Sequence, residues 1–223
     1  MIEEILPPPV VAVDTRAERL DIELFAAERE ALGNAVEKRR REFVTSRACV
    51  REALAQLGLP PTPIVGGERK APLWPLGVVG SITHCAGYRG CALTRTAEFL
   101  GVGIDAEPNG PLPPGVMDRV TVAQERTMLE RLAAQEPAVH WDRLLFCAKE
   151  ATYKLWFPLA GSWLGFEDAV VTLDRGGDGC AGTFEARLLV PSPPLDGGSL
   201  ARVSGRWLAR DGLLLTAIAL ARS

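Results

Sequence analysis

The stretch Gly101-Val102-Gly103-Ile104-Asp105-Ala106-Glu107-Pro108 constrains the chain most, because an apolar run ends in two carboxylates two positions apart and then meets a proline. Extended backbone alternates its side chains between faces, so Asp105 and Glu107 point the same way. Pro108 has no N–H to give to a ladder. That puts both acids at the carboxyl end of a strand, a common place for ligand sites in α/β proteins. Paired carboxylates there suit a hard cation: Mg²⁺ takes one or two carboxylates and completes its shell with water and phosphate. The same two acids would also serve as a solvated strand end, so the meaning of this stretch depends on what else the chain directs toward it.

With 223 residues and 47% hydrophobic content, the chain can bury a sizeable core as one domain or two small ones. A formal net charge of −3 gives no global basic field. That argues against nucleic acid and against attachment to an anionic membrane, so any anion must be met by local groups. No apolar run is long enough to span a bilayer. The five cysteines, at 49, 85, 91, 147 and 180, form no C-x-x-C pair and fit neither a disulfide framework nor a zinc site. With an acidic N-terminus that lacks the features of a signal peptide, they lead us to expect a cytoplasmic protein.

Taken in order, residues 1–24 contain an opening strand around Val10–Val13, and 26–57 read as helix in two pieces broken near Gly33-Asn34. Phe43, Val50, Leu54 and Leu57 recur at the spacing of a buried face, and Gly58 and Pro60 stop the helix. Arg40, Arg47 and Arg51 run beside that face and Arg39 along it. Such arginines either snorkel at a core edge or aim their guanidinium groups at a phosphate. Residues 60–77 read as a surface loop carrying Arg69, Lys70 and Trp74-Pro75. Strands over 78–83 and 91–96 place His84 at a strand end after Ser81 and Thr83, donors able to bind phosphate oxygens.

Residues 109–115, rich in proline and glycine, read as a linker dividing the chain into 1–108 and 109–223. One or two helices follow over 116–134. A second helix builds one face from Trp141, Leu144, Leu145, Ala148, Ala151, Thr152 and Leu155 until Phe157-Pro158 ends it. Strands over 167–173, 183–190, 205–209 and 213–220 are separated by turns at 175–179 and 191–194. The fold class is therefore α/β in the α+β sense, each half combining helices with a small sheet, and no sequence repeat marks a duplication.

The second helix contains Phe146-Cys147-Ala148-Lys149-Glu150-Ala151-Thr152-Tyr153-Lys154. Glu150 and Lys154 are four apart and share a face. Alone they would be a surface ion pair worth ~0.2–0.5 kcal/mol. Beside Asp105 and Glu107, a third carboxylate can complete a metal site or act as a base, and the lysine can neutralise charge on a transferring phosphoryl group. Neither a Walker A loop nor a G-x-G-x-x-G fingerprint occurs.

Three segments, Gly80-Ser81-Ile82-Thr83-His84, Gly103-Ile104-Asp105-Ala106-Glu107 and 146–154, resemble in order and spacing the signatures of the surfactin-type (Sfp-like) 4′-phosphopantetheinyl transferases. The resemblance spans most of the chain. The run Lys38-Arg39-Arg40-Arg41-Glu42-Phe43 and Trp74-Pro75 make it most similar to the group typical of siderophore and polyketide pathways in actinobacteria. This resemblance implies two similar α/β halves related by a pseudo-twofold axis, with coenzyme A and Mg²⁺, or Mn²⁺, bound between them.

The resemblance also implies roles. Asp105, Glu107 and Glu150 would ligate the metal that bridges to the coenzyme A diphosphate, and Lys154 would stabilise charge on the diphosphate or leaving group. Glu150 would accept the proton of a carrier-protein serine, directly or through a water. Thr83 and His84 would meet phosphate, Arg39 and Arg47 the 3′-phosphate side, and Arg69 and Lys70 other parts of coenzyme A. Asp105, Glu150 and Lys154 also count as coenzyme A contacts, while Lys149 receives no role. The partners implied are apo acyl and peptidyl carrier proteins, met by a monomer. Two rivals stay open: a metal-dependent phosphoesterase or nuclease, and a non-catalytic coenzyme A-binding module.

Overall fold

The computed structural model describes residues 1–222 apart from 178, 194 and 196–198. The expected turns at 175–179 and 191–194 include Asp178 and Pro194, which lie outside the described residues. After a short 3₁₀ turn come β1 (Val11–Thr15), α1 (Ala26–Leu32), α2 (Glu37–Gln56), β2 (Val78–Cys85), β3 (Tyr88–Arg95) and β4 (Phe99–Pro108). The second half has α3 (Met117–Val120), α4 (Ala123–Gln135), α5 (Trp141–Ala160), β5 (Ala169–Arg175), β6 (Ala181–Leu188), β7 (Arg202–Arg210) and β8 (Leu213–Ala221). Of the one or two helices expected over 116–134, the structure has two, α3 and α4. Proline does not end α5: Pro158 lies within it, and the helix closes at Gly161 in the left-handed conformation. Pro158 forfeits its own bond to the Lys154 carbonyl, and only Leu159 and Ala160 follow it in the helix.

Both sheets are antiparallel, one of order β1-β3-β2 and the other β4-β8-β7-β6-β5. β4, from the first half, therefore pairs with β8 from the second, with Asp105 opposite Thr216. β4 is an edge strand, and its outward N–H groups need partners. They find them on β2: the Ile104 N–H donates to Ser81 Oγ at 3.2 Å and the Ala106 N–H to Thr83 Oγ1 at 3.0 Å. The alternating Ser-x-Thr run is thus a seam that joins the two sheets.

Each half carries a long helix followed by strands. α2 packs on β3 over Cys49, Val50, Ala53, Leu54 and Leu93, while α5 packs across β4 and β8. The largest core lies behind α5, where Trp141 and Trp207 meet edge to face with centroids 5.3 Å apart. Close approach of α5 to β4 requires glycine. A Cβ on Gly103 would sit 2.1 Å from the Ala151 carbonyl oxygen, and one on Gly101 would sit 2.8 Å from Leu155 Cδ1. The two glycines that precede Asp105 therefore let the helix that carries Glu150 settle onto the strand that carries the acids.

The halves also repeat a buried carboxylate node that no run of identical residues announces. In α1, Glu28 Oε2 accepts the Phe25 N–H (3.1 Å) and a donor from Arg51 (3.0 Å), and Oε1 accepts the Ile64 N–H (3.1 Å). In α4, Glu125 Oε2 accepts the Val122 N–H (2.8 Å) and Lys149 Nζ (2.9 Å), and Oε1 accepts the Val171 N–H (2.8 Å). Each node ties a helix start, the long helix and the following segment together. Among the described residues, no helix is long and apolar enough to cross a membrane.

Candidate active site

β4 and α5 bring the sequence-predicted acids and lysine together. Lys154 Nζ lies 2.7 Å from Asp105 Oδ1 and 3.2 Å from the Ile104 carbonyl. Burial opposes its charge, but Asp105 and Glu150 outweigh that and raise its pKa. Thr83 Oγ1 donates to the same Asp105 oxygen at 3.1 Å, so its proton is directed at the carboxylate. Asp105 Oδ2 is buried and has no hydrogen-bond partner. A buried carboxylate oxygen without a donor is costly, which marks this atom as one awaiting a ligand.

Glu107 lies further along β4, where Arg143 Nη1 donates to its Oε2 at 2.9 Å. Burial, then the nearby Asp105 charge, raises the Glu107 pKa against the pull of Arg143. Glu150 faces the same region. Burial, then Asp105, pushes its carboxyl up to about 7, with Lys154 opposing. Crowded anions that resist ionisation are the electrostatic signature of a site short of positive charge. No three His, Cys, Asp or Glu side chains among the described residues are gathered tightly enough to form a finished metal cage. The oxygen-only donor set and the orphaned Asp105 Oδ2 still fit a hard divalent cation, because Mg²⁺ needs few protein ligands when phosphate and water supply the rest.

Beside the acids opens a cavity of about 380 Å³ between α2, the 65–72 loop, β2 and α5. Of the residues singled out in the sequence, Arg39, Arg47, Arg69, Lys70, Thr83, His84, Glu150 and Lys154 all line it. Arg39 Nη1 is 3.0 Å from His84 Nε2. A guanidinium can only donate, so Nε2 accepts and the imidazole proton sits on Nδ1. Burial lowers the pKa of His84, which keeps the ring neutral. Arg47 stacks on Phe43 at 3.9 Å and donates Nε to the Ile64 carbonyl at 2.9 Å, and its burial lowers its pKa to about 10. Arg69 and Lys70 occupy successive left-handed conformations, φ 50° and 65°. Strained backbone of that kind concentrates at functional loops. The Arg69 guanidinium also lies over the exposed Trp163 ring at 5.2 Å.

Several readings change. Arg40 and Arg51 do not line the cavity; Arg51 is held by Glu28. Lys149, which received no role, does point off the Glu150 and Lys154 face, buried where it donates to the Val120 and Phe166 carbonyls at 2.9 and 2.7 Å and pairs with Glu125. The 109–115 linker is fastened down: Asn109 Nδ2 donates to the Ala138 carbonyl, and Asp142 Oδ2 accepts the Leu112 N–H, both at 2.9 Å. Sequence reading missed Arg143, whose one available signal was its place two helical turns before Glu150 on the same face.

The geometry agrees with what comparison shows. Residues 27–94 match the 4′-phosphopantetheinyl transferase N-terminal domain, and residues 101–190 match the 4′-phosphopantetheinyl transferase superfamily. The chain is 51% identical to the 4′-phosphopantetheinyl transferase Npt of Nocardia iowensis over 99% of its own length and 100% of the relative. It is 54% identical to the 4′-phosphopantetheinyl transferase Svp of Streptomyces mobaraensis, covering 89% of this chain and 79% of that one. With the 4′-phosphopantetheinyl transferase PptT of Mycobacterium tuberculosis it shares 51% identity over 85% and 82% of the two lengths. With a cationic cavity floored by a carboxylate–lysine cluster, and matched over 85–99% of its length by these relatives, the chain belongs to the 4′-phosphopantetheinyl transferase family.

Proposed function

We propose that this site binds coenzyme A in the cavity and transfers its phosphopantetheine to a serine of an apo acyl or peptidyl carrier protein. The observation that carries the reading is Asp105, a buried carboxylate with Lys154 and Thr83 on one oxygen and no hydrogen-bond partner on the other, beside Glu150 in the cavity wall. Arg39 and Arg47 hold the 3′-phosphate side, Arg69 and Lys70 other parts of coenzyme A, and His84 borders the phosphates. Thr83 contributes through Asp105, to which its hydroxyl already donates. Asp105, Glu107 and Glu150 would hold Mg²⁺, or Mn²⁺, which would supply positive charge to the diphosphate.

The serine oxygen attacks the β-phosphorus. Its bond to phosphorus forms as the bond to the departing adenosine 3′,5′-bisphosphate breaks, and the serine proton passes to Glu150, directly or through a water. Lys154 compensates the charge of the leaving diphosphate. Most of the acceleration comes from position and charge, as in other phosphoryl transfers.

Both cavity walls come from one chain, which supports a monomeric enzyme. The Glu28 and Glu125 nodes, one on either side, support two halves, 1–108 and 109–223, while the two family matches meet earlier, between residues 94 and 101. The thiols of Cys49, Cys85, Cys91 and Cys147 support a reducing, cytoplasmic setting. Calorimetry tests the placement of coenzyme A. Replacing Arg39 removes a charged donor from the cavity, a change worth ~1.5–3 kcal/mol, so Arg39→Ala is expected to bind coenzyme A about tenfold or more weakly. An unchanged affinity would place the ligand elsewhere.

A further inference from the structure

Arg143 has a role that the reaction outlined above does not yet use. Its three donor nitrogens are each committed: Nη1 to Glu107 Oε2 at 2.9 Å, Nε to the Gly110 carbonyl at 3.2 Å and Nη2 to the Pro111 carbonyl at 2.6 Å. The guanidinium is mostly buried. A simple counter-ion needs only the first of these bonds. The other two fix the plane of the guanidinium against the tail of β4, and Asn109 and Asp142 pin that tail to the start of α5.

The consequence falls on Glu107. One carboxylate oxygen is held, while Oε1 receives no hydrogen bond from any described residue. Asp105 shows the same division, with Oδ1 held by Lys154 and Thr83 and Oδ2 unpartnered. Arg143 and Lys154 lie eleven residues apart on α5 with Glu150 between them, so the two cations grip the two β4 acids from opposite flanks. Each grip occupies one oxygen and leaves the other available.

We infer that Arg143 is a positioning residue for the divalent cation: it orients Glu107 so that Oε1 is presented to the metal, and it couples this to the α5 helix that carries Glu150. The inference rests on the assignment of a metal to Asp105, Glu107 and Glu150. Its sign is diagnostic. Deleting a nearby positive charge should tighten cation binding if Arg143 is only a counter-ion. Deleting an orienting partner should weaken it, by ~10–100-fold for partners of metal ligands.

The test is Mn²⁺ titration followed by electron paramagnetic resonance, on the full chain saturated with coenzyme A. Arg143→Leu is expected to bind Mn²⁺ ~10–100-fold more weakly, and Arg143→Lys, which keeps charge without the planar fork, to fall in between. Coenzyme A affinity measured in EDTA should stay within twofold of the wild type for both. Arg143→Leu binding Mn²⁺ as tightly as the wild type, or more tightly, overturns the inference; should that variant not fold, Arg143→Lys with wild-type affinity does the same. Asp105→Asn separates the two assignments. If it loses Mn²⁺ while the Arg143 variants do not, only the role of Arg143 falls. If it keeps Mn²⁺, the metal assignment falls and this inference with it.

Discussion

Glu150→Gln is expected to abolish transfer and, at the same time, to stabilise the ligand-free protein above neutral pH. The two effects share a cause. Burial and the Asp105 charge raise the Glu150 carboxyl to about 7, against a reference value of 4.5 in the unfolded chain. Between those values the folded state binds more protons than the unfolded state, so this residue's contribution to stability falls as pH rises through the window. The loss is complete above about pH 7, where the native protein holds a buried anion that the unfolded chain would solvate. Glutamine keeps the shape and carries no charge. Thermal melts without ligand should therefore show a higher Tm for Glu150→Gln at pH 8, by ~2–4 °C for each kcal/mol relieved, and little difference at pH 5. In the transfer assay the same variant should lose ~10²–10⁴-fold in rate, the usual contribution of a general base. Retained transfer, or a lower Tm at pH 8, would contradict this role. On the role proposed for it, the group that takes the proton is held where its charge is disfavoured in the ligand-free protein.

Lys149→Met should produce the opposite pattern, a large loss of stability with the chemistry intact. Lys149 adjoins Glu150 in sequence, yet it faces away from the cavity, buried against Glu125 and the Val120 and Phe166 carbonyls. Burial lowers its pKa and Glu125 opposes that, the balance expected of an ammonium kept inside by a partner. Removing it leaves Glu125 as an uncompensated buried charge, at a cost of ~3–5 kcal/mol. Urea unfolding at low temperature should register that loss, while the folded fraction still transfers phosphopantetheine. Unchanged stability with lost transfer would instead move Lys149 into the reaction. The corresponding node in the first half, Glu28 with Arg51, shows that a buried acid fastened to the long helix belongs to the architecture of both halves.

Much of this site was legible before the fold. β4 announced itself because strict alternation puts Asp105 and Glu107 on one face, and α5 because its apolar spacing leaves Glu150 and Lys154 on another. Cationic positions as far apart as Arg39 and Lys70 were identified by resemblance, and the structure brings them to one cavity. What stayed hidden depends on contacts between distant segments. Arg143 matters because α5 happens to cross the tail of β4, and no local pattern records that crossing. Thr83 read as a phosphate donor, since a hydroxyl beside a histidine offers one; its proton is directed to Asp105 and its lone pair to the Ala106 N–H, because an edge strand had bonds to satisfy. Glu28 and Glu125 escaped notice because carboxylates are rarely buried, and only the folded chain reveals the backbone N–H groups that make burial tolerable. Pro158 misled for a simpler reason: the helix carries the loss of one backbone bond and runs only two residues further, to Ala160.

The most direct test is intact-protein mass spectrometry of a panel of apo acyl and peptidyl carrier proteins incubated with the enzyme, coenzyme A and Mg²⁺. The account predicts that at least one carrier gains the mass of a single phosphopantetheine group on a serine, with one adenosine 3′,5′-bisphosphate released per event, and that Asp105→Asn gives no gain. Coenzyme A bound in the cavity with no mass added to any carrier would contradict it.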